Sequence, residues 1–263
     1  MITLKKLVQK LLSSTILLPC ISFSGVIEPD VRWSDPEVKV CFAPTSLRSF
    51  TDIDNDDQNF LSIPPVLMEW NNELMDYMRS TVESSYSENS TLVRFVGWNI
   101  CTGDELLSTV YLFPVKGSFF EGVSTLGEHG KKVDLYIGQE KTSRYVKEHN
   151  PIKHPSLAIK FTKTNMKNLT YIILHEFGHL AGLRHEHIRE EANRDVNCSY
   201  YGSSILRSSE DLGISARLAG AYDPYSIMNY CYRDYLNFAA SDSQPALSDL
   251  DQITLRAMYL NLE

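Results

Sequence analysis

The segment that most constrains this 263-residue chain runs from His175 to His185 and reads His-Glu-Phe-Gly-His-Leu-Ala-Gly-Leu-Arg-His. His175 and His179 are four residues apart, so their imidazoles project from one face of a helix. This is the His-Glu-x-x-His pattern, in which two histidines bind zinc and the glutamate, here Glu176, activates a water molecule. The sequence therefore predicts a helix that carries a catalytic metal site.

A third metal ligand is needed, and Gly182 indicates where it comes from. On a continuous helix, His185 would lie about 9 Å beyond His179 along the axis, whereas a zinc–nitrogen bond is only about 2 Å long. Glycine adopts at little cost the left-handed conformation that ends a helix. We therefore expect the chain to turn at Gly182 and to bring His185 back to the metal.

The eleven-residue string is similar to that of the metzincin metalloproteases. Residues 222–230 read Tyr-Asp-Pro-Tyr-Ser-Ile-Met-Asn-Tyr and resemble the methionine turn of these proteases, in which Met228 would form a hydrophobic floor under the histidines and not a ligand. Within the metzincins, the chain is most similar to the astacin family, including its bacterial members. That resemblance rests on Glu186 directly after the third histidine, on the following His-Ile-Arg, and on Tyr230 two residues after the methionine.

The resemblance implies an α+β fold of the two-lobed metzincin type. The N-terminal lobe would contain a mixed sheet and the active-site helix, and the C-terminal lobe would be irregular with one terminal helix. It also implies a zinc metalloendopeptidase with one catalytic zinc ion, Glu176 as general base for a zinc-activated water, and the ligands His175, His179 and His185.

Tyr230 would be a fifth ligand at rest and a donor to the oxyanion during catalysis; the alternative is a buried aromatic residue beside a turn.

The partner would be an extended protein or peptide substrate, which pairs with an edge strand expected near residues 121–127. A zinc-stabilised extracellular binding or adhesion protein without proteolytic activity is the alternative function. The presence of Glu176 argues against it, because a structural zinc site needs no base and usually has a fourth protein ligand.

Some features depart from the astacin pattern. Residues 190–193 lengthen the loop after the motif, and Asn229 stands where a histidine is common. Astacin propeptides block the zinc with an aspartate, and here Asp30 or Asp35 could serve, with nothing to single out either. His187 is interpreted as a solvated or loop-packing residue and not as a ligand.

The N-terminus is typical of a secretory signal: three lysines, a short apolar stretch over 11–21, and small residues up to Ser24. The apolar stretch is too short and too rich in serine for a membrane anchor. We therefore divide the chain into a signal peptide, a short N-terminal extension or propeptide that is expected to be irregular, and a metzincin catalytic domain, over residues 1–24, 25–36 and 37–263.

Signal cleavage would leave 22 basic and 33 acidic residues, a net charge of −11. Such an acidic chain is not expected to bind nucleic acid or an anionic membrane. We expect a monomer that is secreted, extracellular or periplasmic, without a membrane anchor. Four cysteines would remain after cleavage, and we favour the disulfides Cys41–Cys101 and Cys198–Cys231 among three possible pairings. A second zinc site is the rival use of these cysteines, but no Cys-x-x-Cys pair supports it.

Periodicity and capping residues predict the remaining elements. The helices are expected over 65–84, from 164 or 165 to 182, and after a capping box at Ser248 to Asp251. The strands are expected over 38–42, 92–100, 107–113 and 133–137.

Overall fold

The computed structural model describes residues 24–27, 32–44, 66–67, 70–87, 90–106, 108–116, 122–124, 156–161, 166–189, 191–192, 217–232 and 244–260. Within them the strands are β1 Ser24–Ile27, β2 Glu37–Phe42, β3 Val66–Leu67, β4 Arg94–Ile100, β5 Val110–Lys116, β6 Gly122–Ser124, β7 Ser156–Phe161, β8 Leu183–Arg184 and β9 Arg217–Gly220. The helices are α1 Asn72–Ser85, α2 Met166–Leu180 and α3 Asp249–Leu260, with a 3₁₀ turn over Glu186–Ile188.

A mixed six-stranded sheet forms the first half of the fold. Its strand order is β4-β2-β5-β7-β6, with β3 paired to β5. The central strands are parallel, whereas β3 and β6 are antiparallel to their neighbours. The strand β6 pairs with β7 at one end of the strand order, so it is an edge strand, and it lies within the segment where the substrate-binding edge was expected.

Helix α2 is the centre of the molecule. Every residue from Leu169 to Leu180 is buried, as expected of a helix that is covered on all sides. Phe177 lies in an aromatic cluster with Phe95, Trp98 and Tyr86, which joins the helix to β4 and to the end of α1. The Tyr86 hydroxyl donates to the Leu174 carbonyl at 2.6 Å. The metal-binding motif is therefore built on a rigid element.

The N-terminal segment is more ordered than the sequence indicated. Residues 24–27 form β1, the middle strand of a three-stranded antiparallel sheet with β8 and β9. Trp33 is buried, and its indole N–H donates to the Leu180 carbonyl at the end of α2 at 2.6 Å. Arg32 donates to the Met258 carbonyl in α3. The expectation of an irregular lead-in over 25–36 is therefore wrong for 25–27, because strand pairing with residues far along the chain orders this stretch.

Helix α3 begins as its capping box predicts. The Asp251 amide donates to the Ser248 hydroxyl at 2.9 Å, and the Ser248 amide donates back to the Asp251 carboxylate at 3.1 Å. Helix α1 begins later than residue 65, because Asn71 caps it by accepting from the Leu74 amide. The predicted strand over 133–137 lies outside the described residues.

Other predictions can be compared with the described residues directly. The predicted Cys41–Cys101 disulfide is present, with the two Cα atoms 5.2 Å apart. Cys231 is disulfide-bonded too, and its predicted partner Cys198 lies outside the described residues. None of the described helices has both the length and the apolar character needed to cross a membrane. The mixture of a sheet, a buried motif-bearing helix and a terminal helix confirms the α+β class.

Candidate metal centre and active site

The chain leaves α2 by the turn that the sequence predicts. Gly182 has a φ of +101°, in the left-handed region that favours glycine, and its amide donates to the His179 carbonyl at 2.9 Å. The next two residues, Leu183 and Arg184, form β8 and pair with β1. This reversal returns His185 to the end of the helix that it has just left.

The structure brings the three predicted ligands together. The Nε2 atom of His185 lies 3.1 Å from that of His179 and 3.2 Å from that of His175. All three side chains are buried, and their ligand atoms fall within 4.8 Å of one another. The histidines therefore form a compact three-nitrogen cluster.

Hydrogen bonds orient two of these rings toward a common point. His175 Nδ1 lies 2.8 Å from the Ile227 carbonyl oxygen, and His179 Nδ1 lies 2.8 Å from the Leu183 carbonyl oxygen. A carbonyl oxygen only accepts, so each Nδ1 carries the proton and each Nε2 presents a lone pair. Burial lowers the pKa of both His179 and His185, which keeps these rings neutral and able to bind a metal.

The cluster fits a zinc ion. The Nε2 atom of His185 lies 3.1–3.2 Å from two Nε2 atoms that present lone pairs, and a cation placed among the three rings would bind all three nitrogens. Tetrahedral zinc with bonds of about 2.0–2.1 Å places its nitrogen ligands about 3.3 Å apart, close to the separations observed. The Nδ1–carbonyl contacts are the outer-shell hydrogen bonds that commonly orient histidine ligands of zinc.

The methionine turn lies directly against this helix. The Met228 sulfur packs so closely on Gly178 that a Cβ built there would lie 2.4 Å from it. Asp251 at the start of α3 holds the turn, since its carboxylate accepts from the Ser226 hydroxyl at 2.7 Å and from the Ile227 amide at 2.9 Å. Because the Ile227 carbonyl accepts from His175, α3 is connected to the metal site through the turn.

Glu176, the predicted base, lies on α2 next to His175 and is 5% exposed. Burial raises the pKa of the Tyr86 hydroxyl, and the negative charges of Asp251 and Glu176 raise it further. The charge of Glu176 therefore acts on Tyr86. Glu176 is thus a nearly buried carboxyl group that is adjacent in sequence to a metal-site histidine.

Glu186 follows the third histidine and joins it to the methionine turn. Its amide donates to the Met228 carbonyl at 3.1 Å, and its carboxylate accepts from the Asp223 amide at 2.9 Å and pairs with Arg189 at 3.4 Å. Burial raises the pKa of Glu186 to about 8, although Arg189 and the Asp223 amide act to lower it. The residue is a fully buried connection between the motif and the turn.

Aromatic rings border the histidines. The Tyr230 ring centroid is 4.6 Å from that of His185 and 5.8 Å from that of His175, so the structure brings the predicted tyrosine to the site. Tyr171, one turn before His175 on α2, packs on that histidine and stacks on Tyr232. Its hydroxyl lies 3.4 Å from His175 Nδ1 and donates to the Asn229 carbonyl at 3.3 Å.

Sequence reasoning did not identify Tyr171 or Asp251 as residues that support the site, and it treated His187 as solvated or loop-packing. His187 is only 1% exposed, so the solvated alternative is wrong. The spacing of one helical turn between Tyr171 and His175 was the sequence signal that Tyr171 lies beside the site. No local pattern signals the contact of Asp251 with Ile227, because 24 residues separate them.

No protein-family model and no curated protein sequence matches the chain. Among solved structures, it is similar to myroilysin, with 15% identity over 89% of this chain and 98% of that one and a TM-score of 0.47. It is also similar to high choriolytic enzyme 1, a hatching enzyme zinc-protease from Oryzias latipes (medaka fish), with 15% identity, coverage of 88% and 92%, and a TM-score of 0.45.

Proposed function

We propose that this chain is a zinc-dependent endopeptidase of the astacin-like metzincin type. The observation that carries the proposal is the cluster of His175, His179 and His185, in which His185 Nε2 lies 3.1 and 3.2 Å from the Nε2 atoms of the other two, as in a zinc site. Among the described residues the cluster offers three protein ligands, which is the number typical of catalytic zinc, whereas structural zinc sites usually have four. The adjacent Glu176 supplies a carboxyl group for proton transfer.

Bound zinc supplies Lewis-acid chemistry, since it polarises a carbonyl group and lowers the pKa of a water molecule toward about 7. Glu176 accepts the proton of the attacking water and passes it to the leaving amine. Tyr230 donates a hydrogen bond to the oxyanion that forms on the scissile carbonyl. Burial keeps His179 and His185 neutral, and carbonyl contacts hold the rings of His175 and His179 in place, so the site needs little rearrangement during the reaction.

The substrate is an extended segment of a protein or peptide. The edge strand β6, over Gly122–Ser124, pairs with β7 on one side only within the described residues. An edge strand offers backbone N–H and C=O groups to an added strand. We infer that the substrate pairs there, which would hold several of its peptide groups in line before cleavage.

We propose further that the protein is secreted, with residues 1–24 removed as a signal peptide. Those residues lie almost wholly outside the described part of the chain. The Cys41–Cys101 disulfide supports this, because such bonds persist in oxidising compartments. One zinc ion and a monomeric state remain the simplest expectations.

The decisive test replaces Glu176 by glutamine, which keeps the size of the side chain and removes its basicity. Turnover of a mixed peptide library should fall by at least a hundredfold, in line with the loss of about 10²–10⁴ expected without a general base, and the zinc-to-protein ratio should not change. Glu83→Gln is the matched control, since Glu83 is exposed on α1 and pairs only with Arg79 among the described residues. Proteolysis that survives in Glu176→Gln would exclude the general-base role.

The same assay separates the enzyme from the alternative binding protein. The parent protein should cleave the library, and a chelator should abolish the cleavage until zinc is restored. A parent protein that holds zinc at a one-to-one ratio but cleaves no peptide would favour a zinc-stabilised binding or adhesion protein.

A further inference from the structure

The imidazole of His187 is stacked on the phenol ring of Tyr230. Their centroids are 3.8 Å apart and their planes are 21° from parallel. His187 is 1% exposed and Tyr230 is half-buried, so the stack joins a buried ring to one that is partly accessible. The His185 ring is 4.7 Å from His187 and 4.6 Å from Tyr230. The three rings therefore form one cluster, in which a metal-site histidine contacts both members of the stack.

The stacked rings belong to two segments that are joined by hydrogen bonds. His187 lies in the 3₁₀ turn Glu186–Ile188, and Tyr230 follows the methionine turn. The Glu186 amide donates to the Met228 carbonyl at 3.1 Å, and the Glu186 carboxylate accepts from the Asp223 amide at 2.9 Å. These buried bonds fix the 3₁₀ turn against the methionine turn and so keep the backbones of the two stacked residues close together.

From this arrangement we infer that His187 is a positioning residue, whose ring holds the phenol of Tyr230 beside the three-histidine site. The inference rests on the proposed function, because it assigns His187 a task in the same reaction. Tyrosine side chains occupy discrete rotamers, and a flat neighbour at stacking distance favours the rotamer that keeps the two rings parallel. A hydroxyl that is already in place before the reaction costs no reorganisation when charge develops.

The observed contact with Tyr230 is made by the flat ring of His187, so the inference assigns the positioning to that ring. This assignment sets the experiment, because phenylalanine retains a flat ring whereas leucine fills a similar volume without one. Both substitutions remove the imidazole and place an apolar side chain at a buried position, so both variants are expected to fold.

The test compares His187→Leu and His187→Phe in the parent chain and in a Tyr230→Phe background, all loaded with zinc. His187→Leu should lower kcat about three- to tenfold, the range expected from an aromatic pair, with KM and zinc content unchanged. His187→Phe should restore kcat. In the Tyr230→Phe background, His187→Leu should cause no further loss, because the hydroxyl that it positions is absent.

Crystal structures of the zinc-loaded variants supply a readout that does not depend on activity. Tyr230 should occupy a new rotamer, or more than one, in His187→Leu and its present rotamer in His187→Phe. An unmoved Tyr230 in His187→Leu, or an equal loss of kcat in both backgrounds, would overturn the inference. A Tyr230→Phe variant with parental turnover would instead refute the catalytic role of Tyr230, and Glu176→Gln tests the peptidase itself.

Discussion

Gly178 and Met228 are in direct contact, and there is no space between them for a side chain on the helix. A Cβ built on Gly178 would lie 2.4 Å from the Met228 sulfur and 3.4 Å from the Tyr86 hydroxyl. Gly178 precedes the predicted ligand His179, and Met228 follows Ile227, whose carbonyl accepts from His175. The helix and the methionine turn therefore meet where both also determine the positions of metal-site histidines.

Replacing Gly178 by alanine should loosen this contact. Alanine favours a helix by about 1 kcal/mol over glycine, but the overpacking should cost about 1–3 kcal/mol and push the turn away from α2. We expect a lower free energy of unfolding in urea and weaker zinc binding in competition with a chelator.

The control for this prediction makes room for the new methyl group. Met228→Ala alone should cost stability by leaving a cavity. Combined with Gly178→Ala, it should cost less than the sum of the two single changes, because the clash is gone. Strictly additive effects on zinc affinity would show that the two residues do not act on the site through their contact.

Removing His185 should show whether this histidine binds the metal or only packs against its neighbours. Loss of an outer-shell partner of zinc costs about 10–100-fold in affinity, so His185→Ala should weaken zinc binding by more than about a hundredfold and abolish turnover. Affinity is measured by chelator competition and zinc content by elemental analysis. His149→Ala, outside the motif, is the matched control, and unchanged zinc content in His185→Ala would exclude it as a ligand.

The sequence alone predicts a structural feature correctly where the residues that determine the feature lie close together along the chain. The reversal at Gly182 and the reciprocal capping bonds of Ser248 and Asp251 depend on spacings of a few residues, and both are present. The same Asp251 also accepts from the Ile227 amide, 24 residues earlier. The capping pattern explains the contact of Asp251 with Ser248. It carries no information about the contact of Asp251 with Ile227, because that contact depends on how two distant elements pack.

The N-terminal segment illustrates the same limit. Residues 24–27 have no clear strand pattern of their own, and they become a strand because β8 and β9 offer backbone partners on both sides. Similarly, the bond from Trp33 to the Leu180 carbonyl spans 147 residues. The sequence leaves His187 either solvated or packed in a loop, and the choice depends on its stack with Tyr230, a tertiary contact that no local pattern signals.

The Cys41–Cys101 disulfide should contribute strongly to stability. It connects residues 60 apart in sequence, and closing a loop of that length in the unfolded chain corresponds to about 4 kcal/mol in the chain-entropy treatment. The double variant Cys41→Ala, Cys101→Ala should lose free energy of unfolding on that scale in urea. The parent protein under reducing conditions should show a loss of at least that size, and full stability in reductant would contradict the prediction.

The buried carboxyl group of Asp251 should make stability depend on pH. Burial raises its pKa from 3.8 to about 6, although hydrogen bonds from Ser226 and Ile227 act to lower it. Between about pH 4 and pH 6 the folded protein therefore binds more protons at this group than the unfolded chain does. Its contribution to the free energy of unfolding should fall as pH rises through that window, by about 3 kcal/mol, and stay constant above it.

Asp251→Asn isolates this contribution because asparagine does not titrate. The variant should be less stable at every pH, since the NH2 group that replaces the second carboxylate oxygen cannot accept from the Ser226 hydroxyl. The informative quantity is the difference in free energy of unfolding between parent and variant, measured in urea from pH 4 to pH 8. That difference should shrink from pH 4 to pH 6 and then level off, and a difference independent of pH would contradict the raised pKa.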